Sequence, residues 1–586
     1  MESVEQSLAS MTKEPWRRLG EWEPLVAEAL ERLRQERTTR RIWGRDGSLW
    51  KEDPAAVQEI EDRLGWLDLP SIMRVEVGRL KALAVELQAV GYRRAVLLGM
   101  GGSSLAAEVY REAFGVAKGF LDVTVLDSTD PTQILRVEEG LRLEETVFIV
   151  SSKSGTTPEM RTLYEYFRER CESQLGDGEW PAHMIAITDP ETPLASLATA
   201  QGFRALYLNP PDVGGRFSGL SLFGLVPAAL LGIDLDRLLE RAEEMARACR
   251  MTLAEGENPA MVLGAAMGAL AADASPRRDK LTLLASPGLR AFGPWMEQLV
   301  AESTGKGGRG IVPVVGEPLA PPEALGNDRF WVYLRLMTDD NAETDAAVAR
   351  LAAAGEPVMA FPVRDVYDLG AEFFRWEYAT AVAGKILGVN PFDQPDVDSA
   401  KRQAQQALDR YEETQTLSEE VPLLEDGALA LYGPPSGADD VAGYLAAFFE
   451  GAQPGDYAGL LAYVERRDAH AAVLERIAAA LRGALRIPVT VGFGPRFLHS
   501  TGQLHKGGPG TGLFLQITPS DARDLPIPER GYSFGVLKRA QAIGDLNALR
   551  DVGRRVVRVD IGEDVPGGLE ALEQAIEAAL AHRNPE

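Results

Sequence analysis

Over most of its length the chain alternates between apolar runs of strand length and amphipathic stretches of helical length. The region 1–90 is charged, and Trp16, Trp22, Leu25 and Leu30 mark an apolar stripe with helical spacing. Beyond it, short apolar runs end in glycine or hydroxyl residues and are followed by helical sequence. This order of strand and helix predicts βαβ units that form a parallel sheet.

The succession of apolar run, glycine and helix begins three times, near Ala95, Lys280 and Gly427. We therefore expect an α/β fold with two doubly wound parallel-sheet sandwiches, preceded by a helical arm and followed by a further α/β domain. The predicted boundaries are 1–90 for the N-terminal helical arm, 91–234 for the first sandwich, 235–279 for a helical bridge, 280–425 for the second sandwich and 426–586 for the C-terminal α/β domain.

The charge and the apolar content exclude several classes of partner. With 61 Lys and Arg against 87 Asp and Glu, the formal net charge is −26. Such a surface repels phosphate backbones and anionic lipids, so we expect no nucleic-acid and no membrane partner. The longest apolar stretch, residues 220–232, is too short to span a bilayer. Since the N-terminus has no apolar segment behind a basic start, we expect no signal peptide and a cytoplasmic location.

The first candidate for ligand binding is LLGMGGSS, residues 97–104, where glycines follow a predicted strand and precede a helix. Free backbone N–H groups at such a turn favour an anion. An ordinary tight connection between strand and helix is the alternative. A dinucleotide site is another, with Asp127 as the ribose-binding acid, although Ser104 stands where the last glycine of GxGxxG belongs.

The second candidate is SSKSGTTPE, residues 151–159, at another predicted strand-to-helix turn. Five hydroxyls, one lysine and one glycine offer many donors, and the acid comes only at the helix start. Such a set suits a phosphate dianion in an acidic protein. The alternative is a Ser/Thr-rich helix cap. The turn is not a P-loop, in which Lys and Ser/Thr follow the last glycine.

Together the two turns resemble the sugar isomerase (SIS) domain, which binds phosphosugars. Three further segments, VGGRFSGLS (213–221), EQLVAESTGKGG (297–308) and NPFDQPDVDSAK (390–401), follow in the order of the motifs of the glucose-6-phosphate isomerase family. This resemblance covers roughly residues 90–405. The segment LHSTGQLHKGGPGTGLFLQIT (498–518) resembles the end of the isomerase half of bacterial transaldolase–isomerase fusion proteins, and no transaldolase half is expected.

The resemblance implies two SIS domains and the reversible isomerisation of glucose 6-phosphate and fructose 6-phosphate through a cis-enediol. It also implies a phosphosugar substrate, no cofactor and a possible homodimer. This chemistry requires a carboxylate base, a cation for the developing oxyanion, and an acid/base pair to open the sugar ring. We expect the site between the two sandwiches, at the carboxyl ends of their strands.

By resemblance, Glu302 is the base, Arg216 stabilises the enediolate, and Lys401 lies near the ring oxygen. Each has a structural alternative: a capped helix end for Glu302, an ordinary surface arginine for Arg216, and neutralisation of acidic neighbours for Lys401. The expected substrate contacts are Gly102, Ser103, Ser152, Lys153, Ser154, Thr157, Gln298 and Gln394.

The chain departs from the family in its histidines. The family carries a ring-opening histidine between the glutamate and lysine motifs, and none of the five histidines here lies between Glu302 and Lys401. We expect His505, followed by Lys-Gly-Gly-Pro in a glycine-rich loop, to take this role, from the same chain or from a partner subunit. His499 is the next candidate. The alternative for His505 is a loop histidine bonded to the backbone.

Three other functions remain open at this stage. One is combined phosphoglucose and phosphomannose isomerisation. Another is a non-catalytic SIS regulator that binds phosphosugars, against which Glu302, Arg216 and Lys401 argue. The third is amide transfer to a phosphosugar, which requires an N-terminal cysteine where this chain has Glu2. We expect no metal, because no ligand pair stands at a suitable spacing in a context that suggests a pocket.

Overall fold

The computed structural model describes residues 15–176, 178–250, 258–417 and 420–583. Parts of the predicted arm and bridge, and the N-terminal segment considered for a leader, lie outside the described residues. Within them, the predicted α/β class with parallel-sheet cores is confirmed. No helix in these ranges is both long and apolar enough to cross a membrane.

The strands fall into three sheets. Their bounds are β1 (Trp16–Arg18), β2 (Arg94–Leu98), β3 (Asp122–Leu126), β4 (Thr146–Ser151), β5 (Met184–Thr188), β6 (Ala205–Leu208), β7 (Lys280–Ala285), β8 (Val312–Val314), β9 (Arg329–Leu336), β10 (Val358–Val363), β11 (Leu424–Asp426), β12 (Leu429–Tyr432), β13 (Tyr457–Ala462), β14 (Val489–Phe493), β15 (Gly512–Thr518) and β16 (Arg555–Asp560).

The helices pack around these sheets. Their bounds are α1 (Glu23–Gln35), α2 (Thr38–Trp43), α3 (Pro54–Glu61), α4 (Leu69–Ile72), α5 (Val77–Val90), α6 (Leu105–Phe114), α7 (Pro131–Glu139), α8 (Pro158–Leu175), α9 (Pro193–Gln201), α10 (Leu222–Leu230), α11 (Leu235–Arg250), α12 (Pro259–Ala272), α13 (Phe292–Thr304), α14 (Ala342–Ala353), α15 (Leu369–Leu387), α16 (Val397–Thr414), α17 (Val441–Glu450), α18 (Asp468–Leu485), α19 (Gly502–Gly507), α20 (Phe534–Asp551) and α21 (Val565–Arg583).

The first sheet has the order β3-β2-β4-β5-β6, and all its pairs are parallel. The strand order therefore reverses between β2 and β4, which are neighbours in register from Arg94 and Thr146 onward. In a sheet of this kind ligands bind in the crevice outside the carboxyl ends of the strands at the reversal. The two donor-rich turns, 97–104 and 151–159, follow β2 and β4 and meet in that crevice.

The second sheet has the order β1-β10-β9-β7-β8, with β7 to β10 parallel and β1 antiparallel at the edge. Trp16 pairs with Ala360, so the arm contributes a strand to a distant sheet. The sequence predicted the arm as purely helical. A strand of three residues is too short for its period-2 pattern to be recognised.

The third sheet, β11-β12-β16-β15-β13-β14, has four parallel strands from β16 to β14, and β12 and β11 are added by antiparallel pairing at the other edge. The sequence prediction missed β13, although it lies between β15 and β14 and is buried at all six positions. The strand YAGLLA is uncharged and carries no alternation, because a central parallel strand is covered on both faces.

Two helices that are buried on nearly every side pack against each other in the centre of the molecule. Helix α12 and α15 approach closely, since a Cβ atom at Gly264 would lie 2.5 Å from the carbonyl oxygen of Ala379. Helix α12 has no polar face, as expected of a helix that is buried on all sides, whereas α15 carries the buried charged residues Glu372, Arg375 and Glu377. One continuous apolar cluster joins these helices with the arm and with one face of each of the first two sheets, which fixes the two domains relative to each other.

Candidate active site

The turns after β2 and β4 contact each other directly. The hydroxyl of Ser151 donates to the carbonyl oxygen of Ser103 at 2.9 Å. A Cβ atom at Gly99 would lie 2.8 Å from the carbonyl oxygen of Ser151. Only a residue without a side chain allows this approach, so the glycines of the first turn serve close packing of the two loops.

The predicted phosphate cradle forms a compact group of hydroxyls at the start of α8. Ser152 Oγ lies 2.9 Å from Thr157 Oγ1 and accepts from the backbone N–H of Gly155 at 3.1 Å. Thr157 occupies the cap position but makes no capping bond with its side chain. The start of this helix is therefore not closed by its hydroxyl side chain, which argues against the simple cap as the reason for so many hydroxyls.

Lys153 of the cradle has a partner that the sequence analysis missed. Its ammonium group forms an ion pair with Asp189, just after β5, and donates to the carbonyl oxygen of Pro211 at 2.9 Å. Burial raises the pKa of Asp189, and the lysine charge opposes that rise. The only sequence signal was the position of Asp189 directly after an apolar strand.

The turn that carries Arg216 packs against the first glycine-rich turn. A Cβ atom at Gly102 would overlap the carbonyl oxygen of Gly215, and the hydroxyl of Ser218 donates to the carbonyl oxygen of Gly102 at 3.1 Å. Arg216 is only 4% exposed, so it is not a surface arginine. Its Nη1 atom lies 2.8 Å from Glu302 Oε1.

The guanidinium of Arg216 also connects three segments of the chain. Nε donates to Ser303 Oγ at 2.9 Å, and Nη1 donates to Gln394 Oε1 at 3.0 Å. Nη2 donates to the carbonyl oxygens of Pro391 and Asp393, both at 2.8 Å. A planar guanidinium with fixed donors can make all these bonds at once, whereas a lysine cannot.

Lys306, which sequence reasoning passed over although it lies in the quoted motif, is buried beside Arg216. Its ammonium group donates to the carbonyl oxygens of Asn390 and Asp393, the latter at 2.5 Å, and to Asp393 Oδ1 at 2.7 Å. Burial and the charge of Arg216 lower the pKa of Lys306 to about 7. Two cations thus hold the 390–394 turn beside Glu302.

Glu302 lies in the last turn of α13. Gln298, one helical turn earlier, donates from Nε2 to Glu302 Oε2 at 3.0 Å and to the carbonyl oxygen of His499 at 2.8 Å. A Cβ atom at Gly101 would lie 2.9 Å from the same Nε2 atom. Gln298 therefore links Glu302, the first glycine-rich turn and the C-terminal domain.

His499 reaches the other side of the site with its ring. Nε2 lies 2.8 Å from Oε1 of Glu159, the second residue of α8, and Gln541 Nε2 donates to the same oxygen at 2.7 Å. Burial would raise the pKa of Glu159, but the neighbouring His499 and Lys401 lower it below its ordinary value. The sequence analysis treated Glu159 only as the start of a helix.

His505 has surroundings that differ from those predicted. It lies in the short helix α19, not in a loop, and is 3% exposed. Its ring packs against Phe497 and Phe514, with centroids 6.0 and 4.8 Å apart, and Nδ1 has no hydrogen-bond partner among the described residues. Burial and two nearby cations lower its pKa well below the ordinary value. The structure therefore brings His499, not His505, to Gln298 and Glu159.

Lys401 is exposed on α16 and lines a cavity together with Glu159 and His499. Of the three acidic residues expected around it, Asp393, Asp396 and Asp398, the first two have other partners. Asp393 pairs with Lys306, and Asp396 Oδ2 accepts from Gln503 Nε2 at 2.6 Å. The alternative in which Lys401 merely neutralises these two acids is therefore not supported.

Asp127 has no role of the kind that a dinucleotide site requires. Its Oδ2 atom lies 2.8 Å from Arg496 Nη1 and accepts a long hydrogen bond, 3.4 Å, from Ser104 Oγ. A ribose-binding acid needs its carboxylate open to the ligand. Since this carboxylate is buried against an arginine of the C-terminal domain, the dinucleotide alternative is disfavoured.

Comparison with known proteins points to one family. A family model described as phosphoglucose isomerase matches residues 73–310. A probable glucose-6-phosphate isomerase from Haloarcula marismortui is 32% identical over 352 residues, covering 54% of this chain and 78% of that protein. The glucose-6-phosphate isomerase of Rubrobacter xylanophilus is 30% identical over 387 residues, covering 58% and 88%. A solved glucose-6-phosphate isomerase from Chlamydia trachomatis matches with a TM-score of 0.52 at 18% identity, covering 70% and 96%, and so shares the fold.

Proposed function

Because the chain belongs to the glucose-6-phosphate isomerase family, we propose that it catalyses the reversible isomerisation of glucose 6-phosphate and fructose 6-phosphate through a cis-enediol. The observation that carries this proposal is the contact between Arg216 and Glu302 beside the phosphate cradle. A carboxylate base and a buried cation within 2.8 Å of each other meet the two needs of aldose–ketose isomerisation, a proton carrier and an oxyanion partner.

The proposed proton transfer involves one residue on two carbons. Glu302 removes the proton from C2 of the open-chain aldose and returns it to C1, while the proton of the C2 hydroxyl passes to the C1 oxygen. The carboxylate is thereby regenerated in each turnover. The oxygen on C1 gains negative charge in the enediolate, and Arg216 stabilises it from a buried position where such an interaction is strong. Gln298 and Gln394, which bond to Glu302 and Arg216, hold both groups and contact the sugar hydroxyls.

The phosphate group would bind at the start of α8. Four donor-bearing residues form this part of the proposed site: Ser152, Lys153, Ser154 and Thr157. Gly102 and Ser103 lie on the side of the sugar. Backbone N–H groups at a helix start and hydroxyls supply hydrogen bonds to a dianion without adding net charge. Lys153, whose charge is partly neutralised by Asp189, holds the cradle in position and contributes positive charge to it.

For ring opening we propose His499 with Glu159, in place of His505. Opening the ring removes a proton from the anomeric hydroxyl and delivers one to the ring oxygen, so it needs one acid and one base. Glu159 orients the imidazole of His499 through Nε2, at 2.8 Å. Lys401, which lines the same cavity, is proposed near the ring oxygen.

We also propose the domain division expected from the sequence, with two SIS domains in the ranges 91–234 and 280–425. The likeness of the C-terminal domain, 426–586, to the end of the isomerase half of transaldolase–isomerase fusions remains part of this proposal. The contact of His499 with Gln298 supports the inclusion of that domain in the proposed active site. A cytoplasmic location and a homodimer are proposed on family membership alone.

The test is a coupled assay of glucose 6-phosphate formation from fructose 6-phosphate. The wild type should be active, and Glu302→Gln should lose about 10³-fold or more in kcat, since the amide cannot accept the C2 proton. Glu343→Gln, an exposed acid on α14, is the control and should keep full activity. An inactive wild type that binds phosphosugars would favour a non-catalytic regulator, and mannose 6-phosphate as a second substrate would favour the dual isomerase.

A further inference from the structure

The turn Arg496–His499 connects the C-terminal domain with the first sheet through an arginine that the reaction scheme does not use. Arg496 is mostly buried, and its Nη2 atom donates to Glu108 Oε2 at 2.5 Å. Its Nη1 atom lies 2.8 Å from Asp127 Oδ2. Glu108 belongs to α6, which begins right after the first glycine-rich turn, and Asp127 follows β3.

The surroundings of Arg496 are acidic and largely closed to water. Glu108 Oε1 also accepts a hydrogen bond from Arg466 Nη2 at 2.6 Å. Although burial would raise the pKa of Glu108, these two arginines lower it to about 2. Burial raises the pKa of Glu297 to about 7, and the charge of Arg496 opposes that rise. The guanidinium therefore pairs with carboxylates from two separate elements, α6 and the end of β3.

The opposite end of the same turn enters the active site. His499 accepts from Gln298 through its carbonyl oxygen at 2.8 Å and contacts Glu159 through its ring. Phe497, between the two residues, is buried against Tyr463 and Phe514 of the C-terminal domain. Phe497 thus fixes the turn to the C-terminal domain, and Arg496 and His499 fix it to the part of the chain that carries the active site.

We propose that Arg496 is a positioning residue for the isomerase: by binding Glu108 and Asp127 it holds the turn at the distance from which His499 reaches Glu159. This inference rests on the proposed function, because its effect is on ring opening. Arg496 acts through His499 and does not touch the sugar. A displacement of about 1 Å in a catalytic group lowers the rate by about 10²-fold, so loss of this anchor has a large kinetic effect.

The test separates ring opening from proton transfer. Arg496→Met should lower kcat for cyclic fructose 6-phosphate by about 10²-fold, with KM changed by less than about threefold. A four-carbon aldose 4-phosphate cannot close a ring, because the C4 oxygen carries the phosphate. Exchange of its C2 proton with solvent deuterium, followed by NMR, should change by less than about threefold in the same variant. Arg496→Lys should recover part of the loss.

Arg530→Met is the matched control. Arg530 also comes from the C-terminal domain and forms a two-point ion pair with the first domain, to Glu165 at 2.6 and 2.9 Å, but it lies outside the His499 turn. It should leave kcat on both substrates unchanged. If Arg496→Met does not fold, Arg496→Lys carries the test alone, with a loss of about tenfold on the cyclic substrate only.

A double-mutant cycle decides whether Arg496 acts through His499. In a His499→Asn background, Arg496→Met should cause no further loss on the cyclic substrate. Additive losses, or equal losses on cyclic and open substrates, overturn the inference. A wild type without isomerase activity would instead refute the proposed function. The position of the His499 imidazole resonance in wild type and Arg496→Met then tests the anchoring alone, and an unchanged resonance counts against it.

Discussion

Arg216 Nη1 and Glu302 Oε1 lie 2.8 Å apart in the interior of the molecule, although the two residues come from elements beside different sheets. Arg216 comes from a turn after the first sheet, and Glu302 from the last turn of a helix beside the second. Removing either partner would leave an uncompensated charge in a buried place. The pair therefore joins the domains and the proposed chemistry in one contact.

Substitution of Arg216 by lysine should lower kcat by about 10²–10³-fold, with a smaller change in KM. The charge is kept, but an ammonium group cannot bond to Ser303, Gln394 and two carbonyl oxygens together. The measurement is steady-state kinetics in both directions, with circular dichroism to verify the fold. A kcat of Arg216→Lys equal to that of the wild type would contradict a role for the planar guanidinium and its fixed donors.

His499→Asn and His505→Asn should differ in which substrates they affect. The first should lower turnover of cyclic fructose 6-phosphate by about 10²–10⁴-fold and leave proton exchange on the open four-carbon substrate nearly unchanged. The second removes a ring packed between two phenylalanines, so it should lower thermal stability and affect both substrates equally.

Glu159→Gln tests the partner of the histidine in the same assays. It should resemble His499→Asn with a smaller loss, because the amide still accepts a hydrogen bond but carries no charge. If His505→Asn alone discriminates between cyclic and open substrates, the original assignment of His505 returns and the role of His499 is rejected.

Mixing inactive variants should not restore activity. Glu159, Glu302 and His499 come together within one chain, so neither Glu302→Gln nor His499→Asn protein holds a complete site, alone or combined. The two variants are unfolded together, refolded and assayed, with each one refolded alone as the control. If partner subunits exchanged His499, about a quarter of the wild-type activity would return through mixed dimers.

Lys306 should make stability depend on pH. Its pKa is about 7 in the folded protein against 10.5 ordinarily, so between these values the unfolded chain binds more protons. The free energy of unfolding of the wild type should then rise with pH, relative to Lys306→Met, by up to about 1.4 kcal/mol per pH unit. The rise in the free energy of unfolding ends near pH 10.5. Below about pH 7 Lys306 is charged in both states, so the full cost of burying its charge is present.

Urea denaturation of both proteins between about pH 6 and pH 10 measures this difference. Lys385→Met, which removes a lysine from the surface end of α15, is the control and should follow the wild-type curve. Parallel curves for wild type and Lys306→Met would mean that the pKa of Lys306 is the same in both states.

The parts of the site that sequence could predict are those carried by local pattern. The cradle 151–159 and the turn 97–104 stand directly after buried strands, so their meeting at one sheet edge followed from βαβ order. Lys306 was overlooked because a lysine in a glycine-rich segment looks exposed. Its burial depends on carbonyl oxygens of a turn that lies more than eighty positions later.

The pairing of Glu159 with His499 lay beyond sequence reasoning for a different reason. The two residues are 340 positions apart, one at the start of α8 and the other in the turn after β14. His499 and His505 lie six residues apart and have similar neighbours in sequence, so the sequence does not distinguish them. Only the folded structure distinguishes the two histidines. Phe497 and Phe514 pack around the ring of His505, whereas the ring of His499 contacts Glu159.

The short strand Trp16–Arg18 has a consequence for the order in which the molecule is built. It pairs with β10, around Ala360, beyond the midpoint of the chain. During synthesis the arm must therefore wait, with Trp16 uncovered, until the ribosome has delivered the strands that receive it. A protein shortened past Arg18 would leave the backbone of β10 open along one edge, where another chain can add a strand and begin aggregation.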